Sequence, residues 1–229
     1  MRSQGGMLDL LVVVPHPDDE VFGAGGLLVL ASWDGLKTGV LTLTQGEAGR
    51  TLGLCSREEL PQRRVEELRR SAEILEVDHL EVLSFPNGLP QHKDGLPRGP
   101  FSGKGLQDHP EAEEAIRKRL LSWRPHYVVT FPPDGINGHP DHVACSRYTT
   151  QAASGLARLF YYAPPQGSLP ITHRLRLDEE ALGRKLRAMA QYKTQALSVL
   201  AFMERSPERL WTETFHEVGR EGRWEGKWW

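Results

Sequence analysis

With 229 residues, 39% hydrophobic and 25% charged, the chain holds enough apolar material for one large core of ordinary globular composition. A net charge of −2 excludes the basic footprint of a nucleic-acid binder or of a polybasic membrane surface. No apolar run nears the roughly 20 residues that a bilayer crossing needs. Residues 1–6 lack the apolar stretch of a signal peptide and read as a flexible leader, leaving 7–229 as a single domain. Cys55 and Cys145 form no CxxC pair, which fits a reduced, cytoplasmic setting.

In chain order, strand patterns appear at 9–14, 38–44, 80–84, 127–131 and 158–162. Helical patterns at 22–33, 56–76, 110–123 and 140–154 separate them. This alternation predicts an α/β domain with a mainly parallel sheet and helices on both faces. The Gly- and Pro-rich stretch 85–109 breaks the rhythm and reads as a substrate-covering loop. Helices are expected near 178–191 and 194–204, with an edge strand over Leu210–Val218. The aromatic tail Trp224, Trp228 and Trp229 is a candidate interface anchor for a homo-oligomer.

The apolar run Leu10–Val14 ends in Pro15-His16-Pro17-Asp18-Asp19-Glu20, and Tyr127–Phe131 is followed by His139-Pro140-Asp141-His142. In open α/β sheets, ligands bind at the carboxyl ends of strands. Imidazoles and carboxylates delivered there suit a divalent metal. His16 and Asp19, three apart around a proline-stiffened turn, are a natural ligand pair that leaves Asp18 free as general base. Pro140 suits the first turn of a helix. One of His139 and His142 then completes a three-residue shell, and the other is free for acid or oxyanion work, with Asp141 orienting it. The plainer readings are an acidic helix start and a pair of surface histidines. Gly23-Ala24-Gly25-Gly26 is close to a dinucleotide fingerprint, but Leu28 stands where the third glycine belongs, so helix–sheet packing is the better reading. Cys145 reads as a packed residue and not a ligand.

These residues resemble the metal-dependent deacetylase family of the glycosylphosphatidylinositol-pathway de-N-acetylase and the mycothiol and bacillithiol deacetylases. The resemblance rests on 15–20, Gln45-Gly46-Glu47, Arg64 with Glu67 and Ser71, Phe85-Pro86-Asn87-Gly88, 138–142, and Lys185 through Tyr192-Lys193-Thr194-Gln195. It implies a Rossmann-like single domain holding one zinc through His16, Asp19 and His142, other divalent metals also being accepted. It further implies Asp18 as base, His139 as electrostatic or acid catalyst, and hydrolysis of an N-acetyl group from a small glucosaminide. Arg64 matches a substrate-contacting arginine, with Glu47, Arg50 and Asn87 as further substrate residues. Asn87 stands where many members carry Asp, which leaves the sugar open. The 49–53 stretch looks most like the bacillithiol branch, whose substrate would be N-acetylglucosaminyl-malate. A metal-dependent phosphoesterase and a non-catalytic binding module on the same fold are the rival readings.

Overall fold

The structure, a computed structural model, describes residues 6–88 and 105–229. Residues 1–5 of the expected leader and the central part of the expected covering loop lie outside the described residues. Strand β1 (Leu10–Val14) is buried at every position. It leads through α1 (Asp19–Trp33) to β2 (Thr38–Thr44), then α2 (Leu60–Ile74) and β3 (His79–Phe85). Then follow α3 (Glu111–Trp123), β4 (Tyr127–Thr130), α4 (Pro140–Ala153) and β5 (Arg158–Tyr162). The sheet order is β3-β2-β1-β4-β5, all parallel. Succession runs outward from β1 to β3 and then restarts with β4 on the other side of β1. The crevice between the carboxyl ends of β1 and β4 is therefore the topological switch point, the preferred ligand site of such sheets.

Alternation along the strands divides two cores. Leu10, Val12 and Val14 face the side covered by α1, while Leu11 and Val13 face the side covered by α3 and α4. Each fully buried Leu or Val contributes about 1.5–3 kcal/mol. Both faces being covered explains why these strands read as continuous apolar runs.

The C-terminal part corrects one expectation. Thr212–Glu217 (β7) is no edge strand; it lies between β5 and β6 (His173–Arg176), antiparallel to both, with the short β8 (Trp224–Glu225) outermost. The His-Arg-Leu-Arg sequence of β6 buries alternate residues only, a pattern too short and polar to register as a strand. Of the aromatic tail, Trp228 and Trp229 pack inward while Trp224 stays exposed. Trp228 stacks on Phe160 with centroids 5.0 Å apart and packs on Phe215, and the indole of Trp229 donates to Asp34. Between β6 and β7 run α5 (Glu179–Met189), α6 (Ala196–Arg205) and the single turn α7 (Glu208–Trp211).

Helix α1 breaks at Ala24 (φ −142°), which frees the amides of Gly26 and Leu27. Glu213 of β7 accepts from both, at 2.7 and 2.8 Å, and the fully buried Lys185 of α5 neutralises it at 2.8 Å. The glycines around the break are there for packing, as expected. A Cβ on Gly23 would sit 2.3 Å from the Tyr162 ring, and one on Gly26 would sit 2.4 Å from Leu177.

Candidate active site

The end of β1 is pinned on both sides. Thr130 donates to the carbonyl of Val13, and Thr44 donates through both amide and hydroxyl to that of Pro15. The chain then turns sharply, and Asp18 is held at φ 119°, a strained conformation for a residue with a Cβ. That twist separates the two aspartates.

Asp19 turns back to its own strand end, where its Oδ2 accepts from the His16 amide at 3.0 Å and lies 3.2 Å from His16 Nδ1. Its Oδ1 lies 3.6 Å from His142 Nε2. Candidate donor atoms of His16, Asp19 and His142 fall within 4.8 Å of one another, in buried positions. Each imidazole is held by its other nitrogen: His16 Nε2 donates to Asp141 at 2.9 Å, and His142 Nδ1 donates to the Gly135 carbonyl at 3.1 Å. Orientation of histidine ligands through their second nitrogen is characteristic of metal sites. Burial works against a charge on His16, yet the hydrogen bonds to Asp141 and Asp19 outweigh it and raise its pKa to about 10. Burial also opposes ionisation of Asp19, but His142 and His16 hold its carboxyl below the ordinary range. Two imidazoles and one ionised carboxylate in a field that favours a cation are a donor set that fits zinc.

Asp18 faces Arg64, whose Nη2 lies 3.3 Å from its Oδ2. Burial raises the Asp18 pKa to about 8; Arg64 opposes that shift and Asp19 reinforces it. His139 caps α4, its Nδ1 accepting from the Asp141 amide at 3.1 Å, so the proton of the neutral ring sits on Nε2. Burial, with His16 and His142 nearby, depresses its pKa to about 3. That shift favours the neutral ring, which carries an Nε2–H donor. His139 and His142 stack at 4.8 Å. His16, Asp18, Asp19, His139 and His142 all line one cavity of about 900 Å³, at the upper end of small-molecule sites, with Asp141 behind them.

The profile of the family described as GlcNAc-PI de-N-acetylase (PIG-L) matches residues 11–153. The chain belongs to the PIG-L family. It is 32% identical over 191 residues to the 1D-myo-inositol 2-acetamido-2-deoxy-alpha-D-glucopyranoside deacetylase of Nocardia farcinica, across 78% of this chain and 63% of that one. The chain thus spans under two thirds of that relative's length. It is 25% identical over 239 residues to a probable N-acetyl-alpha-D-glucosaminyl L-malate deacetylase 2 of Bacillus cereus, across 96% of this chain and 98% of that one. Among solved structures, a conserved protein from Thermus thermophilus shares 27% identity at a TM-score of 0.66, over 93% of this chain and 95% of that chain.

The structure brings Asp18, His139, His16, Asp19 and His142 together, and Arg64, Asn87 and Arg50 line the same cavity. Asp141 does not orient the His139 side chain. It is fully buried and accepts from His16, Asn87, Gly88 and Leu106, so it orients His16. The reason is its place just inside α4, where the buried carboxylate gathers the amides of Gly88 and Leu106. Arg64 lines the cavity. It is 3% exposed and donates to the carbonyls of Gly46 and Pro17, beside its ion pair with Asp18. Gly46, at φ +69°, leaves room for it, since a Cβ there would meet Nη1 at 2.1 Å. Glu47 is spent on the Asn87 amide at 2.6 Å and does not line the cavity. The Asn87 side chain is engaged at both ends, accepting from Ala48 and donating to Asp141. A carboxylate at that position would face Asp141 without a proton to share. Arg50 is exposed and lines the cavity.

The remaining family motifs form a polar layer beneath the site. Glu20 accepts from Ser71, Tyr192 and the Asp18 amide, and burial raises its pKa to about 7. Glu67 accepts from the amide and hydroxyl of Thr194. Sequence reasoning missed Gly135, Phe131 (ring 4.1 Å from His142), Tyr162 and Arg209. Phe131 ends a recognisable strand, but nothing near Arg209 in the sequence marks it.

Proposed function

We propose that the protein is a metal-dependent N-deacetylase that hydrolyses the acetamide of a small N-acetylglucosaminide, with zinc in the His16–Asp19–His142 cluster. The observation that carries this reading is the pair of opposed groups beside that cluster: a buried, Arg64-held carboxylate at Asp18 and a neutral Nε2–H donor at His139. A metal held there supplies Lewis acidity, polarising the amide carbonyl and easing attack by water at neutral pH. Asp18 accepts the proton of the attacking water and passes it to the departing amine. His139 Nε2–H donates to the carbonyl oxygen as negative charge grows on it. Arg64 keeps Asp18 aimed, and Asp141 keeps His16 aimed.

The two named relatives act on an inositol glycoside and a malate glycoside, and both support an N-acetylglucosaminide substrate. The malate glycoside of the bacillithiol branch stays within this proposal. The free thiols at Cys55 and Cys145 support a cytoplasmic setting, and no described helix is long and apolar enough to cross a membrane. Exposed Leu200 and Met203 on α6 support a homo-oligomer.

The test is acetate release from N-acetylglucosaminyl-malate, an inositol N-acetylglucosaminide and N,N'-diacetylchitobiose, with phosphate release from a monoester as the rival arm. We expect acetate from at least one glycoside, a loss of about 10²–10⁴-fold in kcat for Asp18→Asn, and unchanged metal content. Phosphate release without acetate, or an Asp18→Asn enzyme with full turnover, overturns the proposal.

A further inference from the structure

Among the described residues, five arginines (Arg50, Arg57, Arg64, Arg205 and Arg209) and two carboxylates (Asp18 and Asp19) line the cavity. Both carboxylates belong to the catalytic cluster, where Arg64 forms an ion pair with Asp18. The other four come from the 48–57 loop, α6 and α7, away from the cluster in the chain. Arg57 is tied to the carbonyls of Glu47 and Gly49. Arg209 is different. Its guanidinium lies over the Phe202 ring at 4.9 Å and makes no hydrogen bond and no ion pair among the described residues. Glu213 and Glu208 act on it without a direct ion pair, and Glu213 is already occupied by Lys185 and by the amides of Gly26 and Leu27. Arg209 is half-buried, and burial lowers its pKa against the pull of those two carboxylates. A sheltered guanidinium whose N–H groups meet no acceptor is costly unless an anion completes it. Phe202 holds the planar fork flat, and a fork suits the two oxygens of a carboxylate or phosphate. The hydroxyls of Ser198 and Ser206 and the exposed Arg205 line the same wall.

We infer that this wall, centred on Arg209 with Arg205 beside it, is an anion subsite for a carboxylate or phosphate carried by the aglycone of the substrate. The inference rests on the deacetylase reading for the position of the sugar, and it adds that the enzyme selects acidic glycosides over neutral ones.

The experiment compares three N-acetylglucosaminides that differ only in the aglycone: methyl, carboxymethyl and phosphoethyl. Metal-loaded wild-type enzyme is expected to prefer one of the acidic substrates over the methyl glycoside by tenfold or more in kcat/KM. Arg209→Met is expected to cut that preference about ten- to hundredfold, mainly through KM, in line with the loss of one charge-assisted contact. Arg205→Gln, at an exposed position that folding tolerates, is expected to lower the preference by a smaller factor. The acidic arm that loses more identifies the anion. No preference in the wild type, or equal losses on charged and neutral substrates, overturns the subsite. Failure of the deacetylase reading is separable, because calorimetric titration with the deacetylated carboxymethyl and phosphoethyl glucosaminides needs no turnover. Tighter binding to wild type than to Arg209→Met keeps the subsite even if no acetate is released, and equal binding removes it.

Discussion

Asp18, Asp141 and Cys145 show how the site sets the behaviour of single residues. Asp18 bears a strained backbone and a carboxyl that burial keeps less acidic than usual, a combination concentrated at working sites. Asp141 never meets the cavity, but it fixes the His16 ring. Asp141→Asn is expected to weaken metal binding about 10–100-fold while leaving the fold intact, which competition with a chromophoric chelator measures. Cys145 is buried against Thr130 and the Val13 carbonyl, and burial raises its pKa to about 12. One thiol, Cys55, is expected to react with a thiol reagent in the native protein at pH 8, and two in denaturant. Because the folded pKa lies above the unfolded one, the thiol's contribution is complete below the unfolded value. It is lost as pH rises from there towards 12, so unfolding should become easier across that alkaline window. A denaturation series with Cys145→Ala should flatten that slope. At this scale, the metal-binding residue types were legible in the sequence because proline, histidine and aspartate crowd two strand ends. The partners of Asp141 and Arg64 were not, because each is reached only across the sheet.

Among the elements, α1 depends most on its neighbours. Its break at Ala24 is stabilised by the carboxylate of Glu213, from far along the chain, and that carboxylate is in turn neutralised by Lys185. Glu213→Gln leaves a buried ammonium without its counter-charge and is expected to cost about 3–5 kcal/mol, read from urea unfolding. Gly23→Ala pushes a methyl into the Tyr162 ring and is expected to cost about 1–3 kcal/mol. It should also lower activity, since Gly23 and Tyr162 both line the cavity. The five parallel strands and the helices between them were readable as alternating patterns, because a sheet buried on both faces demands unbroken apolar runs. β6 and the internal place of β7 were not readable. An antiparallel addition is decided by which edge of β5 is free, and that is a property of the assembled sheet.

Over the whole molecule, the tail closes the fold and does not extend from it. Trp228→Ala is expected to cost about 2 kcal/mol, roughly half of the full-burial value for such a truncation, with no change in sedimentation. A loss of assembly in that variant would return the tail to an interface role. The amino-acid sequence alone determined the α/β class, the parallel half of the sheet and the identity of the cluster residues. Those depend on local periodicity and on residue types gathered at two strand ends. Only the tertiary structure decided which histidine backs which carboxylate, that Asn87 and Glu47 brace the site from within, and that the Arg209 guanidinium lines the cavity without a direct ion pair among the described residues. The physical reason is range: hydrophobic patterning acts between near neighbours in the chain, whereas charge pairing and hydrogen bonding in a buried site join groups that meet only after the sheet has closed.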